Sequence, residues 1–270
     1  MPFVRTRDDI TIYYEIHGEG DPLVLLSGQS NTHHWWDMVR PDFEVACTTI
    51  TLDYRGTGRS DKPDTAAYST RGFASDVLCI LDHLGLDRSH VYGTSMGGRV
   101  AQWIAAEHPD RVSRLVLGCT SPGEPHGVER SAAVKRSLAQ LDTDAARTAL
   151  LELMYSPAWL AEHSHSPNTL GDPTMPAYAR RQHLRASTQH NSWDALPRIT
   201  APTLVVHGTD DIFTPAVNAP LLVSRIPHAQ LHLIPGARHA YFEEFRATAS
   251  PLVLNFLMGG TGASESPATR

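Results

Sequence analysis

Residues 93–97 read G-T-S-M-G and directly follow the apolar run H-V-Y at 90–92. The run is rich in strand formers, and the segment 97–108 has the pattern of a helix. This pattern predicts a sharp strand-to-helix turn with Ser95 at its tip. The two flanking glycines fit this turn, because side chains there would crowd the neighbouring helix and strand. Such a turn exposes the Ser95 hydroxyl at the positive end of a helix, which makes Ser95 a candidate nucleophile.

Candidate partners for this serine lie downstream of two further strand-like runs. A serine hydroxyl needs a base to take its proton, and the base needs a third group that fixes its tautomer. The run 203–207 is followed by Asp210 and Asp211, and the run 231–234 is followed by His239. Each candidate lies just past the carboxyl end of a strand, where open α/β sheets place their ligand crevices.

Four motifs in this order resemble those of the α/β-hydrolase superfamily, and most of all its cofactor-free esterase, lactonase and haloperoxidase-like branch. They are D-Y-R-G-T-G-R-S at 53–60, G-T-S-M-G at 93–97, H-G-T-D-D at 207–211 and G-A-R-H at 236–239. The similarity extends from Phe3 to about Met258. It implies an α/β fold with a mostly parallel eight-stranded sheet, flanking helices and a helical cap inserted after the sixth strand. It also implies that neither a cofactor nor a metal is needed.

The resemblance further implies a catalytic triad of Ser95, Asp211 and His239. In the family the acid stands three positions beyond the glycine of its loop, which selects Asp211 over its neighbour. Asp210 would then point away and cap the following turn. His207 is a rival base, but relatives carry a structural histidine at that strand end, so we prefer His239.

The same resemblance implies an oxyanion hole formed by the backbone N–H groups of Gln29 and Met96. One departure is visible, since Ser27 precedes Gly28 where many relatives carry His-Gly. A backbone N–H group remains a donor after most side-chain changes, so Ser27 affects the shape of the loop and not the presence of the donor. Enol-lactonase and polyketide methylesterase relatives also lack this histidine, which slightly favours those chemistries.

The charge and composition of the chain limit the classes of partner that it can bind. The 270 residues carry a formal net charge of −6 and no basic run, which argues against nucleic acid or an anionic membrane as partner. No apolar stretch approaches the length of a membrane span, and the first residues lack the apolar core of a signal peptide. Cys47, Cys79 and Cys119 are widely spaced within apolar runs. Free buried thiols in the cytoplasm are the simplest interpretation.

The alternation of strands and helices breaks once along the chain. We expect a hydrolase core at 1–120 and 197–258, because strand patterns recur there. The intervening residues 121–196 lack a strong strand pattern and would form the helical cap. Residues 259–270 are small and polar, and we expect them to be disordered. Within the core, the pattern at 32–40 predicts a helix.

Other polar residues invite competing interpretations. The chain has 15 histidines, and the closest clusters are His33-His34 and His163-x-His165. Neither cluster has zinc-site spacing, so surface or cap histidines are the better account. Asp53 and Arg55 could be catalytic charges, but at this loop an ion-pair scaffold that shapes the crevice floor is the preferred interpretation.

The sequence therefore predicts a serine hydrolase that cleaves a carboxylic ester or lactone of a small molecule through an acyl-enzyme. The cap would set the substrate, for which we expect a moderately polar, neutral acyl compound; a natural-product lactone such as a macrolide is one candidate. C–C bond hydrolysis of a diketone, perhydrolysis and a slow-turnover ligand receptor remain alternatives. Related epoxide hydrolases and dehalogenases carry Asp where Ser95 stands. The sequence indicates no oligomeric state.

Overall fold

The computed structural model describes residues 2–64, 68–138, 144–163 and 169–260, and these ranges form one sheet of eight strands. The strands are β1 Phe3–Arg5, β2 Thr11–His17, β3 Asp21–Leu26, β4 Cys47–Leu52, β5 Ser89–Thr94, β6 Val112–Gly118, β7 Thr203–Gly208 and β8 Gln230–Ile234. Their order across the sheet is β1-β2-β4-β3-β5-β6-β7-β8. β2 pairs antiparallel with β1 and β4, and every other pair is parallel. The predicted mostly parallel, eight-stranded sheet is confirmed.

Ten α-helices occur in the described ranges. They are α1 Arg40–Glu44, α2 Thr70–His83, α3 Met96–Glu107, α4 Ala132–Leu138, α5 Asp144–Met154, α6 Pro157–Glu162, α7 Ala177–Thr188, α8 Asn218–Arg225, α9 Tyr241–Glu244 and α10 Arg246–Leu257. Capping sets where some of them begin: the Ser69 hydroxyl accepts a hydrogen bond from the N–H of Gly72 at the start of α2. Across the described ranges, no helix is long and apolar enough to cross a membrane.

The sheet is buried on both faces, and β3 shows how. Leu23 and Leu25 join an apolar cluster on one face, with α1 and α10, while Val24 and Leu26 join the cluster on the other face, with α2 and α3. Successive side chains of a strand point to opposite faces, so a wholly apolar strand requires helices on both sides. This sandwich leaves the carboxyl ends of the parallel strands as the edge at which side chains can meet a ligand.

The helix predicted at 32–40 is wrong. The structure has a single 3₁₀ turn at His33–Trp36, and α1 begins only at Arg40. Pro41 lies in the first turn of α1, and a proline favours the start of a helix over the continuation of an earlier one, because it lacks an N–H. The short turn also lets two consecutive tryptophans, Trp35 and Trp36, both be buried.

Residues 121–196, named here the insert, are helical in their described parts. They contain α4 to α7 and one isolated β-bridge, between Gly123 and Asn191. The division into a core and a cap remains a prediction. At the chain end, Gly259 and Gly260 close α10 with backbone hydrogen bonds, and the rest of the predicted disordered tail lies outside the described residues.

A buried carboxyl group joins the insert to the core. Glu243, in α9, accepts a 2.5 Å hydrogen bond from the Tyr155 hydroxyl through Oε2, while its Oε1 is buried and has no partner among the described residues. Tyr155 also contacts the Thr169 hydroxyl at 2.8 Å. Burial, opposed by Tyr155, raises the pKa of Glu243 to about 7. Glu243 therefore enters the folded state most easily with its proton.

This raised pKa predicts a pH-dependent stability. A carboxyl group whose pKa is higher in the folded than in the unfolded chain stabilises fully below about pH 4.3. Its contribution is then lost as pH rises through about 7. Between these two pH values the wild type should lose about 3 kcal/mol of its free energy of unfolding, and the Glu243→Gln variant should not show this loss. Denaturant unfolding at pH 4.5, 6 and 8 measures the difference from wild type.

The matched control is Glu162→Gln, at an exposed position of the insert. It should leave the pH profile of the wild type in place. A difference between wild type and Glu243→Gln that stays constant from pH 4.5 to pH 8 would show that Glu243 does not change protonation on folding.

Candidate active site

Ser95 occupies the turn between β5 and α3 in a strained conformation. Its φ is 55° and its ψ is −122°, a region that side-chain-bearing residues rarely adopt. Two contacts hold it there: its N–H donates to the carbonyl of Gly118 at 2.9 Å, and the Thr120 hydroxyl donates to its carbonyl at 2.7 Å. The strain is thus maintained by β6, and it presents a half-buried hydroxyl at the first turn of α3.

The glycines on either side of Ser95 are required by close backbone contacts. A Cβ atom on Gly93 would lie 2.3 Å from the carbonyl oxygen of Gly97. A Cβ atom on Gly97 would lie 2.1 Å from the carbonyl oxygen of Leu26, at the end of β3. These distances are far below van der Waals contact, and the obstacles are backbone atoms that cannot turn aside. The predicted role of both glycines is confirmed.

Asp211 and His239 form a buried pair beyond the ends of β7 and β8. Nδ1 of His239 lies 2.8 Å from Oδ2 of Asp211, and both side chains are almost fully buried. The other oxygen, Oδ1, accepts hydrogen bonds from the N–H groups of Phe213 and Thr214. Burial alone would raise the pKa of Asp211, but His239 and His207 outweigh it and hold that pKa well below its usual range. Asp211 therefore stays ionised at neutral pH.

His207 is part of the acid loop. Its Nε2 lies 2.8 Å from the carbonyl oxygen of Thr214 and 3.2 Å from Oδ2 of Asp211. A carbonyl can only accept, so Nε2 carries the proton and points into the loop. His207 thus braces the turn that holds Asp211, in agreement with the structural role expected for it.

Asp210 is exposed and contacts neither histidine ring. Its carboxylate accepts a hydrogen bond from the Thr209 hydroxyl at 2.8 Å. The expectation that Asp210 caps the following turn is wrong, because Asp211 makes those capping bonds, to Phe213 and Thr214. One carboxylate thus has two tasks: Oδ1 organises the turn and Oδ2 holds His239.

The far nitrogen of His239 has no assigned partner. Nε2 is buried and makes no hydrogen bond to any residue in the described ranges, Ser95 included. β6 separates the strand of Ser95 from that of Asp211, and Cys119 at its end is buried with a φ of 40°. Burial raises the pKa of this thiol well above its usual value, so Cys119 is a neutral group just after the strand that separates β5 from β7. Catalytic hydrogen bonds are often loose before substrate binds.

The two candidate oxyanion donors follow adjacent strands, Gln29 in the loop after β3 and Met96 at the start of α3, just after β5. Leu26, at the end of β3, pairs beside Gly93 of β5, so the loop with Gln29 follows directly next to the turn that precedes Met96. Neither the N–H of Gln29 nor that of Met96 donates a hydrogen bond to another described residue. Backbone donors left free at a strand edge are suited to bind a negative oxygen.

Contacts from the insert, which the sequence does not suggest, hold the loop of Gln29. Ser30 has a φ of 60°, and its N–H donates to Nδ1 of His183 at 3.3 Å. His183 is fully buried in α7, and its Nε2 donates to the carbonyl of Arg55 at 2.8 Å. Burial lowers the pKa of His183 to about 4, so it stays neutral. The N–H of Asp172 donates to the carbonyl of Ser30 at 2.7 Å.

The remaining sequence candidates are structural. Asp53 accepts from Nδ1 of His33 at 2.7 Å, and Arg55 pairs with Asp76 at 2.5 Å. The expected ion-pair scaffold therefore exists, but Asp53 and Arg55 each use a different partner. Within the described ranges, no group of three His, Cys, Asp or Glu side chains is arranged to hold a metal ion. His165 of the second histidine cluster lies outside those ranges.

Comparisons with known proteins agree with this fold. A family model described as alpha/beta hydrolase fold matches residues 16–245. "Putative carbamate hydrolase RutD" of Variovorax paradoxus is 31% identical over 258 residues, covering 91% of this chain and 96% of that protein. "Putative non-heme chloroperoxidase" of Synechocystis sp. is 31% identical over 284 residues, covering 95% and 100%.

A solved structure extends the similarity to three dimensions. The structure titled "Est816 as an N-Acyl homoserine lactone degrading enzyme" matches with a TM-score of 0.77 at 30% identity, covering 94% of this chain and 100% of that one. The relatives differ in their named activities but share one fold over nearly their whole length. This chain belongs to the α/β-hydrolase family and is a hydrolase.

Proposed function

We propose that this protein is a serine hydrolase that cleaves a carboxylic ester or lactone. Ser95 is the nucleophile, His239 the general base and Asp211 the group that orients the base. The backbone N–H groups of Gln29 and Met96 bind the oxyanion. The observation that carries the proposal is the buried Nε2 of His239: its ring is fixed through Nδ1 by an ionised carboxylate, and it has no competing partner among the described residues.

The reaction follows from these positions. Oγ of Ser95 attacks the acyl carbon while Nε2 of His239 takes its proton, and the carbonyl oxygen becomes an oxyanion between the two N–H groups. Collapse of this intermediate expels the alkoxide, which leaves as an alcohol with the proton from His239. Water then attacks the acyl-enzyme by the same route and releases the acid and free Ser95. Each oxyanion donor typically contributes a few kcal/mol to the transition state.

Other chemistries can use the same residues. The relative named for carbamate hydrolysis favours a carbamate as a second substrate class, and the one named as a chloroperoxidase keeps perhydrolysis open. Lactone cleavage is favoured by the relative named for degrading an N-acyl homoserine lactone. Product analysis on aryl esters, small lactones, macrolactones and carbamates separates these classes. Tight binding without turnover would instead favour a ligand receptor.

The nucleophile is tested by Ser95→Ala. We expect hydrolysis of short aryl esters to fall by about 10³-fold or more, because no other group forms the acyl-enzyme. Initial rates and thermal unfolding of the same preparation measure the effect. Ser224→Ala, which removes an exposed hydroxyl from α8, is the matched control and should keep the wild-type rate. Turnover of Ser95→Ala within severalfold of wild type would refute the assignment.

The two neighbouring carboxylates provide a second test. Asp211→Asn keeps the shape of the acid but favours the wrong tautomer of His239, a change that costs about 10⁴ in turnover in serine proteases. Asp210→Asn removes only an exposed contact with Thr209 and should cost less than about threefold. Steady-state kinetics of both variants decide between them. A larger loss for Asp210→Asn would reverse the assignment of the acid.

The contact from α7 to the oxyanion loop gives a third test. His183→Leu keeps the volume but removes the bond to the N–H of Ser30, so the donor of Gln29 loses its support. We expect kcat to fall by about 10²-fold with little change in KM, because the oxyanion exists only in the transition state. Kinetics and thermal unfolding are measured together.

His190→Leu is the control for this variant. His190 is also buried and lies two residues beyond the end of the same helix, but it contacts the Thr70 hydroxyl rather than the loop of Gln29. It should lower stability without the loss of kcat. Equal effects of the two variants on kcat would mean that His183 supports the fold alone.

A further inference from the structure

The segment that leaves β6 and enters the insert is anchored at several points. The N–H of Val128 donates to the side-chain oxygen of Asn218, and Nδ2 of Asn218 donates back to the carbonyl of Val128, both at 2.8 Å. Arg99 of α3 donates to the Ser121 hydroxyl at 2.9 Å and to the carboxylate of Glu129 at 3.3 Å. The backbone next to Arg130 is therefore held in place before any ligand binds.

Arg130 lies one aromatic ring away from the proposed base. Its guanidinium carbon is 3.8 Å from the centroid of the Phe213 ring. The other neighbour of that ring is His239, with the centroids 4.6 Å apart. The backbone of Phe213 is held by its N–H, which donates to Asp211. The cation therefore stacks on the ring that separates it from the proposed base.

No carboxylate in the described ranges contacts Arg130 directly, although the charges of Glu129 and Asp211 act on it at longer range. Glu129 is bound to Arg99, and Asp211 is bound to His239. Arg130 forms no hydrogen bond or ion pair with a described residue, and its nitrogen atoms are not fully buried. The half-buried side chain therefore keeps N–H donors that solvent or a ligand can reach.

The carboxylates whose charges act on Arg130 are committed elsewhere. Glu129 is paired with Arg99, on which Glu124 also acts, and Asp211 is paired with His239. Burial, and after it the neighbouring Arg99, lower the pKa of Arg130 to about 10, so the guanidinium is still charged at neutral pH. A recessed cation without a counter-ion gains most from a monoanion, which it can bind through two parallel N–H donors.

We propose that Arg130 binds a carboxylate of the substrate, so that the preferred ester or lactone carries this group a few carbon atoms from the scissile carbonyl. The inference rests on the proposed function, and it replaces the neutral acyl compound expected from the sequence. A carboxylate on the acyl side would reach past Phe213 while its ester carbonyl meets Ser95. Arg130 is then a specificity-determining residue that takes no part in bond cleavage.

Paired substrates test the proposal. Monomethyl glutarate and monomethyl adipate carry the carboxylate, and methyl valerate and methyl hexanoate are their neutral counterparts. We expect the wild type to prefer the anionic member of at least one pair. Arg130→Gln should lower kcat/KM for that ester by about 10- to 100-fold, mainly through KM, and change the neutral ester by less than about threefold. Arg225→Gln is the control, because Arg225 stacks on Trp193 in a similar way elsewhere.

A binding measurement separates this inference from the proposed function. Calorimetry of glutarate with Ser95→Ala, with and without Arg130→Gln, needs no turnover, and the second change should weaken binding about tenfold or more. If no ester is hydrolysed but binding depends on Arg130, the proposed function fails and the carboxylate site stands. Equal losses on charged and neutral esters, or glutarate binding that ignores Arg130, would overturn the site.

Discussion

One backbone contact determines the geometry of this site: the start of α3 presses against the end of β3. At Gly97 only a hydrogen atom fits between the helix and the carbonyl oxygen of Leu26. This approach brings the N–H of Met96 next to the loop of Gln29, while hydrogen bonds to Gly118 and Thr120 hold Ser95 at a positive φ. The turn at Ser95 and the closeness of the two proposed oxyanion donors, Gln29 and Met96, therefore depend on the same packing contact.

A second constraint acts on the carboxylate of Asp211: a charge buried in the protein must be balanced by hydrogen bonds and opposite charges. Asp211 has no solvent to stabilise it, so its ionised form depends on two backbone N–H groups and two imidazoles. His207, which looks like a rival base in the sequence, is one of these supports. Removing any support would raise the pKa of Asp211 and disturb its loop, so the residues of the acid loop depend on one another.

Local sequence patterns could predict the sheet, the turn at Ser95 and the loops of Asp211 and His239, because strand ends and glycines fix those positions. They failed where distant parts of the chain decide the outcome. The predicted helix at 32–40 gives way to a short turn, since burial of both tryptophans and Pro41 override helical propensity. His183 could not be identified, because its partner Ser30 lies 153 residues away and no local pattern links the two residues.

The insert adds contacts to the candidate site that the strand ends do not provide. Relatives with this fold are named for carbamate, lactone and peroxidase activities, so the fold alone does not decide the substrate. In this chain the insert reaches the site twice: through His183, which contacts the loop of the proposed donor Gln29, and through Arg130, which leaves a cation beside Phe213. In the proposed roles, the first contact acts on every substrate and the second only on a charged one, so reaction rate and substrate choice can change independently within one inserted segment.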